Sequence, residues 1–136
     1  MHYDDLLAQH DEIHDAANSA ADAAQQLARL ANGNRAGTMP APTAYTVLGN
    51  LKVLLAHLNE VIDFLPRGLS SSLHEESIQI TDSAPSGEPR EPDASVSIAT
   101  DALRVVYEAL QRAGTYAELG QQAITGQGYE PSTGAA

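Results

Sequence analysis

The chain has 136 residues, with 7 Lys+Arg against 18 Asp+Glu, a formal net charge of −11, no cysteine, no tryptophan and one phenylalanine. Lack of cysteine excludes a disulfide framework, a thiol nucleophile and a cysteine-based zinc site. So acidic a chain is repelled by DNA, RNA and anionic lipid, so direct nucleic-acid binding and membrane attachment are not expected.

The length suits a single helical domain over residues 1–136. Alanine and leucine dominate its apolar residues, and both lose little side-chain entropy in a helix. With so few aromatic side chains, the core has to be built from Leu, Ile, Val and Ala. The opening Met1-His2-Tyr3-Asp4-Asp5 is acidic and precedes no apolar run, unlike a cleaved leader. The longest apolar stretch, 47–65, is interrupted by Asn50, Lys52, His57, Asn59, Glu60 and Asp63. A membrane span needs roughly 20 mostly apolar residues. The expectation is a soluble, cytoplasmic protein.

The first predicted helix spans 3–31. Leu6, Ile13, Ala20 and Leu27 recur in one heptad row, with Ala16, Ala23 and Leu30 three residues further on and Ala17, Ala24 and Ala31 beside them. Asp4 and Asp5 in the first turn and Arg29 near the end suit the helix dipole. The run Asn32-Gly33-Asn34-Arg35-Ala36-Gly37 carries turn chemistry and stops the helix.

A second helix is predicted over 41–76. Pro40 and Pro42 are compatible with a helix start. Leu48, Leu55, Ile62 and Leu69 form one row, and Leu51, Leu58 and Leu65 another. Val47, Leu54 and Val61 widen the stripe to a breadth that calls for two neighbouring helices. Pro66 removes a backbone donor and opposes the carbonyl of Ile62, which predicts a kink or break near 65–68 and a short continuation through Leu69 and Leu73.

Residues 77–90 read as a flexible acidic linker, with Ile78 and Ile80 as apolar anchors ahead of the Pro/Ser/Gly-rich 83–89. Pro92 then opens a third helix, predicted over 91–125, with Asp93 in its first turn. Val96, Leu103, Leu110, Ala117 and Ile124 form its first row, and Ala99, Val106, Ala113 and Gly120 its second. A loose tail follows over 129–136. The fold read from these patterns is all-α: an elongated antiparallel three-helix bundle, up-down-up, with heptad-like Leu/Ala seams.

No motif in the chain specifies a reaction. His10 and His14 share a helical face at i and i+4, and are the sole metal candidates. Asp11 stands where the H-E-x-x-H pattern needs Glu, and Glu12 points to another face. His57, Glu60 and Asp63 can pair along the second helix, without a nucleophile or oxyanion donor. Ser70-Ser71-Ser72 lack a nucleophile elbow, and Ser72 with Glu75 has capping-box spacing but no apolar run after it. No catalytic residue and no cofactor is expected.

The segments Ala44-Tyr45-Thr46-Val47-Leu48-Gly49-Asn50-Leu51, Leu65-Pro66-Arg67-Gly68-Leu69, Glu91-Pro92-Asp93-Ala94-Ser95 and Gln121-Gln122-Ala123-Ile124, with Gln127-Gly128-Tyr129, carry a resemblance. Together they resemble a group of small helical proteins of actinobacteria and their mobile elements. The group has no assigned activity, so the resemblance transfers no site residue. The secreted WXG-type helical hairpins differ: tryptophan is absent here, and Tyr3, Tyr45, Tyr107 and Tyr116 are not followed four residues later by Asp or Glu.

The expected function is non-enzymatic: a helical bundle that binds a protein partner and self-associates as a homo-oligomer. Its expected surface comprises Ala16, Ala20 and Ala23 of the first helix, Leu54 and Val61 beside the second seam, and the rim tyrosines Tyr45, Tyr107 and Tyr116. The alternatives are an acidic decoy covering a basic nucleic-acid-binding protein, which needs carboxylates in surface rows, and a metal-binding protein using His10 and His14.

Overall fold

The computed structural model describes residues 2–132. It holds three helices, α1 (Tyr3–Asn32), α2 (Ala41–Ser72) and α3 (Pro92–Ala123), in an all-α fold, as the heptad patterns require. The chain divides into two compact units, Met1–Met39 and Pro40–Ala136. Residues 133–136 of the expected loose tail lie outside the described residues.

The first unit is one long helix and its exit turn. Asp4 and Asp5 occupy the positive end of α1 and Arg29 its negative end. Gly33 N–H donates to the Arg29 carbonyl at 2.8 Å, closing the last turn. Asn34 then organises the exit: its Nδ2 donates to the Ala31 carbonyl at 2.9 Å, and its Oδ1 accepts from Thr38 N–H at 3.2 Å. Gly37 sits at φ 62°, a left-handed conformation that glycine adopts without a Cβ penalty.

The second unit is an antiparallel helical pair. Pro40 accepts from the N–H groups of Thr43 and Ala44, both at 3.0 Å, and so starts α2. Of the predicted kink or break near 65–68, the break does not occur: α2 is continuous through Pro66. Pro66 is half-buried and lines one groove with Ile62 and with Thr100, Leu103 and Tyr107 of α3, so its ring faces the neighbouring helix. α2 ends at Ser72, four residues before the predicted Glu76. There the Ser72 hydroxyl donates to the Gly68 carbonyl at 2.9 Å, and Leu73 and His74 N–H close tighter three-residue turns onto Ser70 and Ser71. Ser72 therefore ends a helix, and does not cap the start of one.

The connector read as a flexible acidic linker with two apolar anchors carries a defined local network. Ser83 and Pro89 form one antiparallel bridge, Ala84 N–H donates to the Glu88 carbonyl at 2.7 Å, and Gly87 turns the chain at φ 89°. Asp82 accepts from the Ser95 hydroxyl, and Arg90 N–H donates to the Asp82 carbonyl at 3.3 Å, tying the loop to the first turns of α3.

The seam between α2 and α3 follows the heptads only in part. Leu48, Leu51, Leu55 and Ile62 are half-buried on α2, whereas Leu58, Leu65 and Leu69 of the predicted rows are exposed; Val96, Leu103, Leu110 and Ala117 are half-buried on α3, and so is Ile124 just after it. The second α3 row differs. Ala99 and Gly120 are half-buried, but Val106 and Ala113 are exposed. Thr100, Tyr107, Gly114 and Gln121 take the covered positions four residues on. An α-helix advances by alternate steps of three and four, so either offset completes the stripe; the partner decides which. Among the described residues none is fully buried.

Candidate interaction surface

At one end of the pair, Lys52 on α2 lies 3.5 Å from the Glu118 carboxylate and donates to Gln121 Oε1 at 3.3 Å. Gln121 Nε2 in turn donates to the Tyr45 carbonyl at 3.1 Å. A Cβ at Gly49 would stand 2.8 Å from Gln121 Nε2, so a larger residue there would displace this amide from its present partners. Towards the other end, Ile62, Asp63, Pro66 and Arg67 share a groove with Thr100, Leu103, Arg104 and Tyr107. These pairings fix the antiparallel register: Lys52 is level with Glu118, and Asp63 with Tyr107.

In an antiparallel pair, residues rotated in the same sense from each seam lie on the same side. Successive residues turn by about 100°. On one side this places Lys52, Glu60, Asp63 and Arg67 beside Arg104, Glu108, Gln111 and Glu118, all polar. Two arginines of this side each hold a carboxylate of their own helix: Arg67 holds Asp63 at 3.1 Å and Arg104 holds Asp101 at 2.8 Å. These are exposed pairs within one helix, worth a few tenths of a kcal/mol at most.

On the opposite side, α2 presents Leu51, Leu54, Leu58, Val61 and Leu65, and α3 presents Ala99, Ala102, Val106, Ala109, Ala113 and Tyr116. No Asp, Glu, Lys or Arg falls on this side of either helix between 47 and 69 or between 98 and 123. Leu54, Val61 and Tyr116 are 41%, 55% and 64% exposed, and Val105 at the outer margin is 65% exposed.

Of the residues singled out from sequence, the structure brings Leu54, Val61 and Tyr116 onto this face. Tyr107 is half-buried in the seam and accepts from Gln111 Nε2 at 3.2 Å. Tyr45 lies on the polar side, where its carbonyl anchors Gln121. Ala16, Ala20 and Ala23 belong to the first unit and line one stripe of α1. Ala102, Val105 and Ala109 of this face belong to neither predicted α3 row, because they lie further from the seam than the second row does.

The histidines form no larger cluster. His10 and His14 stand one turn apart on α1, and among the described residues no three His, Asp or Glu side chains converge as a metal site. His57 Nδ1 lies 3.6 Å from Glu60 on an exposed turn. Among the described residues, no helix is long and apolar enough to cross a membrane. No protein-family model matches the chain, and no curated protein or solved structure matches it either.

Proposed function

We propose that the protein is a non-enzymatic helical interaction module that binds protein partners, including copies of itself, through the apolar side of the α2–α3 pair. One observation supports the reading above the others: the two helices are polar on the same side and free of charge on the other. Burial of apolar area is the main driving force for such association, at about 25 cal/mol per Å² removed from water. A solubilising surface alone gives no reason for the Leu54–Val61 stripe to be matched by an uncharged α3 stripe at the same level.

A photo-crosslinking residue at Leu54, compared with one at Glu108 on the polar side, tests the reading in the full chain. Protein adducts from Leu54 and none from Glu108 are expected. Equal labelling from both positions, or none from either, would overturn it.

A further inference from the structure

We infer that the uncharged side of the α2–α3 pair is an isologous interface with a second copy of this chain. The two copies meet face to face about a two-fold axis parallel to the helices, so that α2 of each lies on α3 of the other. This rests on the interaction reading above and assigns the partner and its geometry.

Size is the first argument. The apolar stretch from Val47 to Leu69 covers 23 residues, about 34 Å of helix. Two helices with axes about 8–10 Å apart present a face about 20 Å wide. The product is on the order of 700 Å² in projection on each copy, and more as accessible surface, against about 800 Å² per partner in a stable interface.

Shape is the second argument. Next to the seam, α2 carries large side chains, Leu54, Leu58, Val61 and Leu65, whereas α3 carries mostly alanine, Ala99, Ala102, Ala109 and Ala113. A two-fold axis along the bundle sets the large row of one copy over the small row of the other, twice. An axis across the bundle would set leucine on leucine and alanine on alanine, leaving gaps in a contact that needs close packing. In the chosen arrangement Val61 of one copy is level with Ala109 of the other, since Asp63 is level with Tyr107 in the register described above.

Charge is the third. A chain of net charge −11 repels its own copy. The uncharged side is where two copies approach with least repulsion, while a strongly basic partner would find no carboxylate on that side to pair with.

Analytical ultracentrifugation of the full chain tests the assignment. At about 100 µM the native chain should sediment as a dimer of twice 14.3 kDa. Val61→Glu and Ala109→Lys, each alone, should weaken association by about tenfold or more while circular dichroism shows unchanged helix content. An equimolar mixture of the two variants should recover a dimer, because the introduced charges then face each other across the interface. Glu108→Gln, on the polar side, should leave the mass unchanged. If Val61→Glu loses helix content, the milder Leu54→Gln takes its place.

A native monomer, or a mixture that fails to recover association, overturns the second-copy arrangement. If that monomer binds a hydrophobic dye and Val61→Glu abolishes the binding, the interaction reading survives with another partner. If the monomer binds no dye, the face is closed within the chain and both fall.

Discussion

Three side chains carry constraints out of proportion to their size. Gln121 bridges Lys52 and the Tyr45 carbonyl through both ends of its amide. Gln121→Ala should lower stability by about 1 kcal/mol, measured by urea denaturation, since two modest, partly exposed bonds are lost together. Asn59 is the opposite case: its Oδ1 is buried without a hydrogen-bond partner, beside Tyr107 and Asp63. An unsatisfied polar atom costs about 1–3 kcal/mol, so Asn59→Leu should raise the denaturation midpoint. Glu75 accepts from the Ser77 hydroxyl at 2.9 Å and its N–H at 3.2 Å. Those bonds, the hydroxyl's first, hold its carboxyl below the ordinary glutamate range. A lowered folded-state value stabilises the turn above the unfolded pKa, and the effect is lost as pH falls through the folded one. NMR titration should find Glu75 titrating below the ordinary glutamate value, and Ser77→Ala should move it back towards that value.

At the scale of elements, α2 shows what the sequence could and could not disclose. Its start and the covered positions Leu48, Leu55 and Ile62 were legible, because proline position and apolar periodicity are local signals, but Leu69 of the same row is exposed. Passage through Pro66 was not legible, because the α3 residues its ring faces lie roughly forty residues away in sequence. The α3 seam has the same lesson. Val106 and Tyr107 are neighbours in sequence, and only the position of α2 decides that Tyr107 is covered and Val106 is not. Pro66→Ala should therefore stabilise the pair by about 1 kcal/mol or more in thermal denaturation, restoring a donor to a helix that is already continuous. Ile62→Ala should destabilise it by about 1–2 kcal/mol, below the range for full burial because the side chain is only half-covered.

For the molecule as a whole, the acidic surplus and the uncharged face oppose each other. Raising ionic strength screens repulsion between copies but leaves apolar contact intact. Self-association of the native chain should therefore strengthen between about 0.05 and 0.5 M salt, as followed by sedimentation equilibrium. An association driven by ion pairs would weaken instead. The candidate face itself was half legible: Leu54, Val61 and Tyr116 stand out from sequence, but their common side follows only from the antiparallel register of two helices.

The connector at 82–90 has a consequence in time. Its bonds span short stretches of chain, Ala84 to Glu88 and Asp82 to Ser95, whereas Tyr45 and Gln121 at the far end of the pair are 76 residues apart. Loop-closure entropy grows with the length enclosed, so the helices should dock first beside the connector and close towards Gln121 last. Substitutions near Leu73 and Asp82 should then slow folding, and Gln121→Ala should chiefly speed unfolding, a division that stopped-flow chevrons on the two classes of variant would read directly.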